Sequence, residues 1–346
     1  MNMMSNKEIG IGNLLASGMT LKQHRDAIIE RTQATGYYNG LEKLELRDSD
    51  PIGYEKLFSK LRGGLVHARE TAKKIAASPI VEQEGELCFT LYNAAGDCVL
   101  TSTGIIIHVG TMGAAIKYMI ENNWEANPTI NPGDMFTTND CAIGNVHPCD
   151  IATIVPIFWE GKLIGWVGGV THVIDTGSVT PGSMSTGQTQ RFGDGYMITC
   201  RKTGVNDEPL RDWLHESQRS VRTPKYWILD EKTRIAGCHM IRELVEDVIR
   251  ADGLDAYMKF SHEVIEEGRF GRIDGEGLAG HAVLAAIDGH VDVAHGVSPV
   301  SRTERMVSMA TSRRSAISRL ARSSARERTS VPSSSLASRE RSAPSD

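Results

Sequence analysis

The chain lacks the marks of several large protein classes. No stretch of its 346 residues approaches the roughly eighteen uninterrupted apolar residues of a membrane helix, so no membrane span is expected. Its six cysteines, Cys88, Cys98, Cys141, Cys149, Cys200 and Cys238, contain no C-x-x-C pair. The first residues show no charged-then-apolar signal pattern, and together these absences predict a reduced, cytosolic protein. There is no Gly-x-x-x-x-Gly-Lys-Ser/Thr loop to cradle nucleotide phosphates, and no internal repeat. Lysine is missing from residues 301–346, where 14 Ser and 10 Arg stand against only Glu304, Glu327, Glu340 and Asp346. That stretch therefore carries +6, and since the whole chain carries −5, residues 1–300 carry −11. An acidic folded part gives no electrostatic footprint for nucleic acid.

What is present fits a globular protein: 40% of residues are hydrophobic. Residues 1–50 are polar and mixed, with a helix expected over 21–32, and read as an N-terminal arm. Tyr54, Leu57, Leu61, Leu65, Ala68, Ala72 and Ile75 follow helical spacing until Pro79, which predicts a long amphipathic helix. Within it, Gly63-Gly64 marks a close approach or a kink. Residues 86–92 and 98–102 alternate around Asn93-Ala94-Ala95-Gly96-Asp97, the pattern of a hairpin. Residues 111–123 read as a helix, and 176–195 as a Gly/Ser/Thr-rich loop. A strong helix is expected over 231–250, with Asp230 as N-cap, Gly253 beyond its end, and Ile235, Cys238, Ile241, Val245 and Val248 on one stripe. A second helix follows over 254–267. The fold class predicted is α+β, a mixed sheet built largely from hairpins with helices packed on it.

The run Gly144-Asn145-Val146-His147-Pro148-Cys149-Asp150, followed by His172, carries the chemistry. Residues 151–159 and 163–173 read as two strands joined by Glu160-Gly161-Lys162. With a three-residue turn, Trp159 faces Leu163 and Asp150 faces His172; a two-residue turn shifts every pair by one. One carboxylate and two imidazoles suit a borderline divalent ion such as Mn, Fe or Zn, with water or substrate completing its shell. The alternative is that His147 and Asp150 bond each other and cap the strand.

Asn139-Asp140, residues 144–150, Pro156-Ile157-Phe158-Trp159-Glu160-Gly161-Lys162-Leu163-Ile164-Gly165-Trp166, Thr171-His172, Pro181-Gly182-Ser183-Met184 and Trp213-Leu214-His215-Glu216-Ser217-Gln218-Arg219 resemble the hydantoinase B/oxoprolinase family. The likeness runs over about residues 14–268 and is strongest to the branch that carboxylates acetone. It implies a hydantoinase B-like fold and ATP-dependent conversion of acetone and bicarbonate to acetoacetate, with ATP taken to AMP and phosphate. It further implies a hydantoinase A-like beta subunit that binds ATP, a small gamma subunit, and Mn2+ in this chain, with Zn2+ or Fe2+ as alternatives. By the same likeness the ligands match Glu86, His147, Asp150 and His172, and Cys149 is their neighbour. Two neutral imidazoles and two carboxylates leave such a manganese site formally neutral, and the ion would hold an enolate oxygen against the incoming carbon. Read without the likeness, Glu86 is an edge-strand carboxylate facing solvent.

The likeness divides the chain into an arm over 1–50, a metal-binding domain over 51–268, and a non-family Arg/Ser-rich stretch over 269–346. That stretch reads as a frameshifted or truncated gene, or as a natural disordered tail. If further residues of the family's members cover the 231–267 helices, the Ile235 to Val248 stripe is partly exposed here. His108 is a candidate acid/base, or a hydrogen-bonded core histidine. Asp175 either orients His172 from behind or caps the loop that follows it. Pro181-Gly182-Ser183-Met184-Ser185-Thr186-Gly187 offers backbone N–H groups to a phosphate or carboxylate, and Arg219 and Arg222 either hold an anion or are surface arginines. Two other functions compete with the carboxylase: a cyclic-amide hydrolase subunit of the hydantoinase or 5-oxoprolinase type, and a non-catalytic scaffold for the beta subunit.

Overall fold

The protein was analysed as a computed structural model that describes residues 12–105, 107–185 and 187–269. Expectations for the Arg/Ser-rich stretch lie outside these residues. Eight helices are found among them: α1 Leu21–Thr35, α2 Glu45–Ser49, α3 Pro51–Lys73, α4 Pro79–Glu82, α5 Ile107–Glu121, α6 Arg211–Arg219, α7 Pro224–Asp252 and α8 Leu254–Arg269. The strands are β1 Leu87–Asn93, β2 Cys98–Thr101, β3 Met135–Thr138, β4 Asp150–Trp159, β5 Lys162–His172, β6 Arg201–Val205 and β7 Glu208–Pro209. They form one seven-stranded sheet in the order β2-β1-β5-β4-β3-β6-β7. Every pairing is antiparallel, and the β1–β2, β4–β5 and β6–β7 pairs are hairpins.

Turn chemistry explains the hairpins. At the β1–β2 tip the Asn93 side-chain oxygen accepts from the N–H groups of Ala95 and Asp97, both at 3.0 Å, replacing ladder bonds the turn cannot make. At the β4–β5 tip the loop is Glu160-Gly161, both with positive φ, the two-residue turn whose twist matches the flanking strands. Trp159 accordingly pairs with Lys162 and Phe158 with Leu163, not Trp159 with Leu163 as expected. A register shift beyond Phe158 then restores the original alignment, so Asp150 still faces His172. Without that bulge, the shorter loop would have moved every pair toward Asp150 by one position and turned a ligand candidate onto the opposite face.

Alternation along β1, β4 and β5 divides the core. Leu87, Phe89, Leu91, Val155, Ile157 and Val167 pack toward α3 and α7. Tyr92, Ala152, Ile154, Trp166 and Val170 pack toward α5. Residues 12–50, read from the sequence as an arm, contribute Leu14, Leu15 and Leu21 to the α5 side. The buried carboxylate of Glu125 ties them down, accepting from the N–H of Gly12 at 2.7 Å and of Leu21 at 2.9 Å.

Two expectations for α7 are corrected. The helix begins at Pro224, whose fixed φ suits a first helical position, so Asp230 is not an N-cap but a wholly buried side chain inside the helix. Most of the stripe is covered as well: Cys238, Ile241, Val245 and Val248 are buried against α3 and the sheet, while Ile235 is only partly buried. The Gly pair of α3 explains how. A Cβ on Gly64 would lie 2.2 Å from Leu244 of α7, so the glycine permits close packing, and α3 runs through it unbroken. Among the described residues, no helix is long and apolar enough to cross a membrane.

Candidate metal centre

The sheet register creates the site. Leu87 pairs with Thr171, so Glu86 is level with His172 at the next position, and the Glu86 carbonyl accepts the His172 N–H at 3.0 Å. On the other side of β5, His172 pairs with Asp150. Glu86, His172 and Asp150 thus form one row across three adjacent strands, and residues paired in this way share a face of the sheet. Glu86 sits just ahead of β1, beyond the stretch of β1 that pairs with β2, and is half-buried.

His147 comes from the loop before β4, which side-chain amides hold in shape. Asn145 donates through Nδ2 to the carbonyls of His147 at 2.8 Å and Asp150 at 2.9 Å. Asn139, fully buried, donates to Pro148 O at 2.7 Å and Tyr196 O at 2.9 Å, and its Oδ1 accepts the Ile198 N–H at 2.7 Å. These bonds satisfy a backbone that bends too sharply to pair with a strand. Neither asparagine was singled out as a structural tie in the sequence, although Asn145 stands within its most informative motif and Asn139 among the residues that carry the family resemblance.

The functional atoms converge. Asp150, with no solvent exposure, has Oδ1 2.8 Å from His172 Nδ1 and Oδ2 2.9 Å from His147 Nδ1. The Oδ2 contact lies outside hydrogen-bond alignment, leaving that oxygen without a bonded partner. Cys149 Sγ is also 2.9 Å from His147 Nδ1, and the two imidazole rings meet edge to face with centroids 4.9 Å apart. The Ser183 hydroxyl touches His172 Nε2. His108, in the first turn of α5, places Nε2 3.8 Å from Asp150 Oδ1, while its buried Nδ1 has no hydrogen-bond partner.

The electrostatics follow from this packing. Burial opposes charge on His147 and His172, but bonding to Asp150 and Cys149 outweighs it and pushes them up to about 10 and about 9. For Asp150 and Cys149, burial would raise the proton affinity, yet the two histidines bring both below their ordinary values. His108 goes the other way: burial, with His147 and His172 close by, lowers it and favours the neutral ring, as does the positive end of α5. A buried carboxylate with an unbonded oxygen, two imidazoles and a thiol fit a divalent cation, which could exchange for the two imidazole protons without changing the net charge. Among the described residues, His147, Cys149 and His172 form a group with donor atoms within 4.8 Å of one another.

The other candidates fall elsewhere. Asp175 does not reach His172. Its Oδ1 accepts from Arg222 Nη1 at 2.7 Å, and its Oδ2 from the N–H groups of Arg222 at 2.6 Å and Gly177 at 3.2 Å, so it caps the loop. Arg222 is thereby occupied with Asp175 and the Ser178 carbonyl, not free to hold an anion. Ser183 was read as part of a backbone cradle; it is the hydroxyl that meets the site, a contact no local pattern announces.

Antiparallel hairpins carrying a His/Asp cluster at their open end define the class. A family model, hydantoinase B/oxoprolinase, matches residues 50–271, and the chain belongs to that family. It is 73% identical over 258 residues to the acetone carboxylase alpha subunit of Xanthobacter autotrophicus, a match covering 75% of this chain and 33% of that protein. The solved nucleotide-free acetone carboxylase is similar at a TM-score of 0.74 and 72% identity, covering 77% of this chain and 34% of that one. The ATP-dependent caprolactamase of Pseudomonas jessenii shares the fold at a TM-score of 0.55 and 19% identity, over 64% of this chain and 38% of its own. The chain thus spans about a third of the length of the carboxylase relatives it matches.

Proposed function

We propose that this chain is the metal-bearing portion of an alpha subunit in an ATP-dependent acetone carboxylase, which joins acetone and bicarbonate-derived carbon into acetoacetate. The observation that supports the reading most directly is the convergence of His147, Asp150 and His172 on one buried point, within a chain 73% identical to an acetone carboxylase alpha subunit. These three, with Glu86 from the same row, would hold Mn2+, with Zn2+ or Fe2+ as alternatives. When bound, the ion would supply positive charge where negative charge develops on the ketone oxygen.

The chain's own residues supply the rest. Asp150 orients the His172 imidazole through the Oδ1–Nδ1 hydrogen bond and stands 2.9 Å from His147 Nδ1. His108, its neutral form favoured by burial and its Nε2 3.8 Å from Asp150 Oδ1, is the group suited to take a proton from the methyl carbon of the ketone. Neutrality matters because an imidazolium has no lone pair to accept that proton. By the family resemblance, nucleotide chemistry would fall to a hydantoinase A-like beta subunit, with a small gamma subunit completing the assembly; the lack of a phosphate-cradling Gly-Lys-Ser/Thr loop in this sequence agrees with that division.

One contact favours a second reading, hydrolysis of a cyclic amide. Ser183 Oγ on His172 Nε2, with Asp150 on Nδ1, repeats the atom order of serine acyl-transfer sites. Metal analysis tests the first reading. The purified chain is expected to bind about one Mn2+, and His172→Ala to weaken binding by at least about tenfold to hundredfold, the scale of losing a group that fixes a site. Unchanged metal content in the variant would remove His172 from the site, and a parent that takes up no metal would favour the scaffold. With partner subunits supplied, product from acetone rather than from a lactam or hydantoin separates the carboxylase from the hydrolase.

A further inference from the structure

Cys149 is not explained by its packing. The residue is 1% exposed and borders the apolar cluster of Ile151, Val173, Trp213 and Trp227, where a small hydrophobic side chain would serve as well. Yet its sulfur does not stay among those groups: Sγ stands 2.9 Å from His147 Nδ1. Its backbone is also pinned to the strand that carries the other histidine, because the Cys149 carbonyl accepts the Val173 N–H at 2.8 Å. Pro148 stiffens the link between His147 and Cys149, and Asn139 holds the Pro148 carbonyl at 2.7 Å. The sulfur is therefore a fixed member of the cluster.

We propose that Cys149 is a metal-selecting residue, whose sulfur completes with His147 and His172 a donor set for thiophilic ions that overlaps the oxygen-rich set assigned to Mn2+. The inference rests on the metal reading above. His147 Nδ1 is the pivot, standing 2.9 Å from the soft Cys149 Sγ and 2.9 Å from the hard Asp150 Oδ2. A tetrahedral Zn2+ with Zn–N near 2.05 Å and Zn–S near 2.3 Å needs donors about 3.3–3.6 Å apart. The donor atoms of His147, Cys149 and His172 already lie within 4.8 Å of one another, so side-chain adjustment is enough. The unbonded Asp150 Oδ2, buried in the same cluster, is a second polar atom awaiting a partner. Thiolate sulfur favours Zn2+ strongly over Mn2+, whereas carboxylate oxygen discriminates between the two ions far less. The site consequently binds both ions, and Cys149 sets the margin in favour of zinc.

The test uses the full chain, stripped of metal, with Zn2+, Mn2+ and Co2+ as probes. Competition between Zn2+ and Mn2+ is followed by metal analysis, and Co2+ loading by absorption, where a cobalt–sulfur bond adds a near-ultraviolet charge-transfer band to the visible ligand-field bands. We expect that band in the parent and its loss, with ligand-field bands retained, in Cys149→Ala. The Zn2+/Mn2+ preference should fall by about tenfold or more in the same variant. Cys149→Ser keeps the shape of the side chain and should behave likewise, which covers an alanine variant that fails to fold. Ligand-field bands without the charge-transfer band in the parent, or an unchanged ion preference in the variants, would overturn the role of Cys149 while leaving the metal site standing. A parent that binds none of the three ions would overturn both.

Discussion

Asp150 and His172 face each other across the β4–β5 hairpin, with Oδ1 2.8 Å from Nδ1, and neither would be there without the bulge beyond Phe158. A fully buried carboxylate is costly unless paired, and here one carboxylate serves two imidazoles. The pair is thus at once a structural element and the centre of the candidate chemistry.

Replacing Asp150 by Ala in the metal-free protein should release both histidines from their shared partner. His172, held at about 9, should then titrate lower, since burial still opposes its charge and of its two supporting partners only Cys149 remains. Proton-detected histidine titration reads this directly, and a His172 that keeps its raised value would show that another group supports its charge. Chemical denaturation near pH 7 should show a loss on the order of 3 kcal/mol, the scale of breaking a buried ion pair.

Stability on the acid side should depend on His262. Burial, with His24 close by, lowers this histidine to about 4. Between its ordinary value of 6.5 and that value, the unfolded chain takes up a proton that the folded chain refuses, so stability falls as pH falls through this window. The full penalty is at most about 3 kcal/mol, reached near pH 4. Asp230, raised to about 6 by burial, acts in the opposite sense, because the folded chain binds its proton first. A comparison with His262→Gln isolates the histidine: the variant should lose less stability than the parent between pH 6.5 and 4. Parallel curves would rule the contribution out.

Gly237→Ala should destabilise the protein despite sitting in the middle of α7. Alanine in a helix is ordinarily better than glycine by about 1 kcal/mol. Here the added Cβ would lie 2.1 Å from Phe89 Cζ, and the ring is already confined by a second glycine, since a Cβ built on Gly169 would lie 2.5 Å from Phe89 Cε1. Overpacking of about 1–3 kcal/mol should win, lowering the urea midpoint; a raised midpoint would mean that the ring is free to move.

The isolated chain should neither hydrolyse ATP nor carboxylate acetone, and it should gain no ketone-stimulated ATP turnover on addition of Mn2+. Phosphate release measured with and without acetone is the check. Turnover that survives purification to homogeneity would place a nucleotide site on this chain, in a form unlike the Gly-Lys-Ser/Thr loop.

Much of this protein is determined locally. The helical spacing from Tyr54 to Ala72, the turn residues at Asn93 to Asp97, and the His147 to Asp150 run each specify their own element, because capping, turn geometry and amphipathic period act over a few residues. The sequence also placed Asp150 opposite His172, although through the wrong turn: two changes of one residue, a shorter loop and a bulge, cancelled. What only the tertiary structure decided are relations between distant segments. The covered part of the α7 stripe, Asp175 committed to Arg222, Ser183 on His172, and Glu86 brought level with His172 and Asp150 all depend on which surfaces pack together. No local pattern encodes them, because burial and pairing are set by the whole set of partners a residue meets after folding.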